Sequence, residues 1–117
     1  MLELSDPVLD GVFRALANPS RRAMLARLTA GSASLSDLAA PLDMTLSAVE
    51  QHFKVLERCD LVRSDKVGRV RTCRLQADTV RETENWLGVL RADWERHLDR
   101  LGDFLDQTAD TAEEENR

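Results

Sequence analysis

Apolar residues recur at three- and four-residue steps over most of the chain, and this spacing predicts helices. Val8, Val12, Phe13 and Leu16 predict a first helix over about 7–17, and Ala23, Met24, Leu25 and Leu28 a second over about 19–30 that ends near Gly31. Asp6-Pro7 and Asn18-Pro19 each set a capping side chain before a proline suited to the first helical position. Arg21 and Arg22 fall in the first turn of the second helix, where the helix dipole disfavours cations unless they meet phosphate or an acid. Ser34 with Asp37 three residues on is a capping box, and it opens a third helix that turns Leu35, Leu38 and Ala39 to the core. Pro41 stops that helix, Leu42-Asp43-Met44 make a turn, and Thr45 caps a fourth helix over about 46–58 with Val49, Phe53 and Leu56 inward.

Beyond residue 60 the pattern changes. Leu61–Asp65 and Arg69–Leu75 predict two strands joined through Lys66-Val67-Gly68, with Gly68 free to take positive φ. This register sets Cys73 opposite about Val62. From about 78 to 107 helical spacing returns, and Leu87, Leu90, Trp94, Leu98, Leu101 and Leu105 form a near-heptad stripe. Gly88 leaves open whether this is one helix or two. A helix of some 30 residues would be about 45 Å long, and its stripe needs a cover, most simply a second copy in a two-fold dimer. Residues 1–107 thus form one domain with a C-terminal dimerisation helix, and 108–117, with Glu113-Glu114-Glu115, are expected to be an acidic disordered tail.

Charge sharpens the picture. The 117 residues carry a net charge of −5, but residues 45–75 hold seven basic and four acidic side chains while residues 76–117 hold five basic and twelve acidic. Positive charge therefore collects on the fourth helix and the hairpin, where phosphates would be met. A capped helix, a tight turn, a second helix with a polar outer face and a basic hairpin form the layout of a winged helix-turn-helix, in which the 45–58 helix enters the major groove and the 61–75 hairpin is the wing. Thr45, Ser47, Ala48, Gln51, His52, Lys54, Arg69 and Arg71 are the candidate DNA contacts. Gln51 suits adenine and Lys54 suits phosphate, whereas Glu50 either accepts from cytosine N4 or repels phosphate. His52 has the alternative of a core or capping role.

The remaining chemistry is sparse. The chain has no nucleophile–base pair and no glycine-rich phosphate loop, so it is expected not to be an enzyme and to need no cofactor. Cys59 and Cys73 are candidates for a thiol sensor, against the plainer reading of two small half-buried side chains. Asp93 and His97, four apart, make at most half a metal site. The N-terminus lacks the pattern of a signal peptide, and no apolar run approaches membrane-spanning length; a cytoplasmic location is expected.

Phe13-Arg14-Ala15-Leu16-Ala17-Asn18-Pro19-Ser20-Arg21-Arg22, together with Leu42-x-Met44-Thr45-x-Ser47-Ala48-Val49-x-Gln51-His52-x-Lys54-Val55-Leu56, resembles the ArsR family of winged helix-turn-helix repressors. Leu61-Val62, Gly68-Arg69 and Arg74-Leu75 look like that family's wing. The resemblance implies a mainly helical fold with one β-hairpin and a homodimeric repressor on a palindromic operator. It further implies a dimer through the first and last helices, here Val8, Val12, Leu87, Leu90, Trp94, Leu98, Leu101 and Leu105. The chain departs from the pattern at several points. Ser36-Asp37-Leu38-Ala39-Ala40 replaces the metal-sensing Cys-x-Cys, Leu46 and Glu50 stand where Gln and Ser are usual, and Cys73 replaces a common tyrosine. Two alternatives stay open. One is a protein-interaction module with weakened DNA reading, and the other is a regulator answering to a thiol or to a small-molecule inducer near Trp86 and Trp94.

Overall fold

The computed structural model describes residues 6–115, with side chains from 7 to 112. In chain order it contains α1 (Asp6–Leu16), α2 (Pro19–Leu28), β1 (Ala33–Ser34), α3 (Leu35–Ala39), a 3-10 turn (Ala40–Leu42), α4 (Leu46–Arg58), β2 (Val62–Val67), β3 (Val70–Leu75) and α5 (Ala77–Glu115). Two compact units divide the chain, one up to Thr83 and one from Glu84.

In the first unit, α1, α2, α3, α4 and the sheet share one core of Val12, Ala15, Met24, Leu28, Ala33, Leu38, Val49, Phe53, Leu56, Leu61, Val62 and Cys73. The caps form as their residue types require. Asn18 Oδ1 accepts from the amide of Arg21, Ser34 and Asp37 close a capping box, and Thr45 Oγ1 accepts from the amide of Ala48 at 3.1 Å. The side chain of Asp6, expected to cap α1, lies outside the described residues.

Several expectations need correction. The buried face of α1 is Leu9, Val12 and Ala15, whereas Val8 and Phe13 are exposed. Val12 is fully enclosed by its own core, so it offers no surface to a second chain as a dimer contact. Ala23 is likewise exposed, leaving Met24 and Leu28 as the buried pair of α2. The hairpin turn is Gly68-Arg69, because Val67 pairs with Val70. Gly68 takes φ 65° at the first position of this two-residue turn, where the right-handed twist of the strands demands a positive value. Moving the turn from Lys66-Val67-Gly68 shifts the partners along the strands, so Cys73 faces Ser64 and Val62 faces Leu75. On its other side β3 pairs with β1, Ala33 opposite Cys73, in a sheet of order β1-β3-β2.

α5 runs through Gly88 without interruption. It also continues past residue 107, so 108–115 are helical rather than a disordered tail. Alanine and glutamate in that stretch are good helix formers, and the Thr108 and Thr111 hydroxyls bond back to the carbonyls of Phe104 and Gln107. Residues 116 and 117 lie outside the described residues. No helix among the described residues is long and apolar enough to cross a membrane.

The join between α4 and the sheet is a Schellman stop. The Leu61 amide donates to Leu56 O and the Asp60 amide to Glu57 O, both at 3.1 Å, with Asp60 left-handed at φ 60° between them. Leu56 and Leu61 meet in the core across this stop. A side chain in that conformation is strained, and glycine relieves it. Asp60→Gly is therefore expected to raise stability by about 0.5–1 kcal/mol and Asp60→Val to lower it, as read from urea unfolding midpoints; a loss of stability in the glycine variant contradicts the assignment.

Candidate nucleic-acid interface

Burial decides which face of α4 is available. Val49, Phe53 and Leu56 point inward, so Ser47, Gln51, Lys54 and Arg58 occupy the opposite, exposed face at four-, three- and four-residue steps. Thr45 and Leu46 are exposed at the helix start, and Ala48 is half-buried. Arg58 is not among the expected contacts, although its spacing from Lys54 places it on the same row at the end of the helix. The N-terminal half of this row carries the short polar side chains able to reach base edges, and its C-terminal half carries the cations.

His52 lies apart from that row. It is half-buried, and its Nδ1 accepts from Nη1 of Arg21 at 3.3 Å, which assigns the ring proton to Nε2. The same guanidinium donates through Nε to Ala15 O at 2.6 Å and through Nη2 to Arg14 O at 3.0 Å, and Arg22 donates to Leu16 O at 2.8 Å. Among the described residues the two arginines at the start of α2 thus meet carbonyl oxygens rather than carboxylates. They cap the carbonyl end of α1, where a helix dipole welcomes positive charge. Arg21 links three helices and holds the inner flank of α4, and His52 is the grip on that flank.

The wing flanks the other side of α4. Arg71, Cys73 and Leu75 alternate on one face of β3, with Cys73 buried, so Arg71 stands on the face that turns toward α4. Its Nη1 is 3.8 Å from Oε1 of Glu50, which is also 3.9 Å from Nζ of Lys54. Arg69 lies in the exposed turn rather than on the strand beside Arg71, so it sits at the wing tip between the exposed Val67 and Val70. Arg74 pairs with Asp65 at 3.2 Å, and Ser64 Oγ donates to Glu57 at 3.1 Å, a second tie between wing and helix.

The other candidates have ordinary surroundings. Cys73 is fully buried, and desolvation pushes its thiol up to about 11. Cys59 is half-buried, its thiol donates to Leu56 O at 3.3 Å, and burial raises its pKa as well. Both thiols are therefore protonated at neutral pH, the unreactive form. Asp93 pairs with Arg96, and the His97 ring stacks on Trp94 with centroids 5.8 Å apart. Among the described residues no group of three or more His, Cys, Asp or Glu side chains comes together. On α5 the side chains of Leu87, Leu90, Trp94, Leu98, Leu101 and Leu105 are all exposed in the single chain, joined by Val89 and Phe104, which lie outside the near-heptad spacing.

Comparison with known proteins meets this geometry. Residues 16–65 match the model of a helix-turn-helix domain. The HTH-type transcriptional regulator Rv2034 of Mycobacterium tuberculosis is 32% identical over 105 residues, covering 86% of this chain and 92% of that protein. The transcriptional repressor SdpR of Bacillus subtilis is 22% identical over 79 residues, covering 68% of this chain and 88% of that protein. Among solved structures, an ArsR family transcriptional regulator superposes with a TM-score of 0.74 at 40% identity, covering 80% of this chain and 97% of its own.

The Cys73 thiol yields a pH test. Its ordinary value is 9.0 and its folded value about 11, so unfolding releases its proton more readily. Its contribution to stability is intact below pH 9.0 and is lost as pH rises toward about 11. Urea unfolding at pH 8 and pH 10.5 should show a fall in stability that is smaller in Cys73→Ala; equal falls in both proteins refute the burial of this thiol.

Proposed function

The chain belongs to the ArsR family of winged helix-turn-helix transcriptional regulators, and from that membership we propose that it is a homodimeric repressor of a palindromic operator. The observation that carries this reading is the exposed row Ser47, Gln51, Lys54 and Arg58, flanked by the basic wing and turned outward by the core. In this reading α4 lies in the major groove with Ser47 and Gln51 at base edges, Gln51 suiting adenine. Thr45 and Ala48 lie at the leading end of the helix. Lys54 and Arg58 neutralise phosphate, Arg71 does so from the wing, and Arg69 at the wing tip reaches the backbone or minor groove.

The apolar stripe of α5 supports the dimer. Leu87, Leu90, Trp94, Leu98, Leu101 and Leu105 are exposed together in one chain, an apolar surface that a second copy covers most simply. Of the two α1 residues expected in such an interface, Val8 is the exposed one. A two-fold dimer presents two reading helices, so the operator halves are spaced by about one helical turn or a multiple of it.

Two experiments test these points. In fluorescence anisotropy against a duplex from its own upstream region, Gln51→Ala should lower operator affinity about tenfold while leaving random duplex unchanged. Lys54→Ala should weaken both duplexes alike and reduce the salt slope by about 1. Equal affinity of the wild-type protein for upstream and random duplexes rejects sequence-specific regulation. For the dimer, Leu98→Glu combined with Leu101→Glu should yield a folded monomer in sedimentation equilibrium with operator binding weakened at least tenfold; an unchanged dimer places the interface elsewhere.

A further inference from the structure

Glu50 is one of two acidic residues that join the reading helix to the wing, the other being Glu57. One carboxylate oxygen of Glu50 spans Lys54 on α4 and Arg71 on β3, at 3.9 and 3.8 Å. These are two of the cations assigned above to phosphate, one from each half of the interface. All three side chains are substantially exposed, so the pairs add little to stability. Their consequence lies in what the interface accepts. Sequence-independent binding rests on neutralising phosphates. A carboxylate set between two of the neutralising groups opposes that binding twice, by occupying the cations and by repelling the DNA backbone.

A cognate site must therefore give the carboxylate a donor of its own. In the major groove the donors are cytosine N4 and adenine N6. Adenine presents its donor beside the N7 acceptor, which a carboxylate cannot satisfy and would repel, so cytosine is the matching base. Accepting from cytosine frees Lys54 and Arg71 for phosphate at the same moment. We propose that Glu50 is a specificity-determining residue: it restrains Lys54 and Arg71 on non-cognate DNA and selects a C·G pair at the operator position it faces. This inference rests on the reading of the protein as a DNA-binding regulator.

The test compares the full-length protein with Glu50→Gln and Glu50→Ser, each checked for an unchanged thermal transition. Selection from a randomised duplex library reads base preference, and anisotropy on one fixed random-sequence duplex between about 50 and 200 mM salt reads non-specific binding. Wild-type selections should carry an invariant cytosine in each half-site. Glu50→Gln should replace it with adenine, and Glu50→Ser should lose the preference there. Both variants should bind the random duplex about 5- to 20-fold tighter near 100 mM salt, with a slope steeper by about 1. The inference requires both changes, and either readout remaining at its wild-type value in the two variants overturns it. Failure of the wild type to bind any duplex removes the DNA reading itself. A selected wild-type site that the variants share unchanged removes only the role of Glu50.

Discussion

Burial of Val49, Phe53 and Leu56 is the constraint on which the interface depends. A helix has one rotation about its axis that satisfies three inward side chains, and that rotation turns Ser47, Gln51, Lys54 and Arg58 outward. The ends are then pinned. Thr45 caps the start at the turn after α3, and the Schellman stop hands the chain to Leu61 and the wing without a flexible linker. Arg21 ties the flank through His52 to the carbonyl end of α1. Reading helix and wing are thereby held as one surface before any ligand arrives, which lowers the ordering cost of binding.

Electrostatics acts on this surface locally. The chain is acidic overall, yet its positive charge is gathered on α4 and the hairpin, and the acids among those residues are mostly engaged there. Asp65 holds Arg74, Glu57 accepts from Ser64, and Glu50 lies between Lys54 and Arg71. A basic face tempered in this way binds nucleic acid less indiscriminately than its count of arginines suggests.

Much of this was legible in the sequence because local signals carried it. Asn18, Ser34 and Thr45 cap their helices as their residue types require, and the helical spacing of Val49, Phe53 and Leu56 identified the core face of α4. What stayed hidden depends on distant partners. Ala33–Ser34 pairs with β3 over only two residues, too few to alternate. Val8, Leu9, Val12 and Phe13 all fit a helical stripe, and only the neighbouring helices decide that Leu9 and Val12 are inside. Arg21 and Arg22 look misplaced until the end of α1 is set against them. Glu50 looks foreign to a reading helix until Arg71 is brought from 21 residues away.

On this surface we propose that the outward face of α4 and the adjoining wing meet DNA together. The most direct measurement is a titration of isotope-labelled protein with a duplex from its own upstream region, following backbone amide shifts by NMR. The largest shifts are expected at Ser47, Gln51, Lys54 and Arg58, with Arg69 and Arg71 moving in the same titration step. Shifts that bypass α4 and the hairpin and gather on the stripe of α5 contradict it.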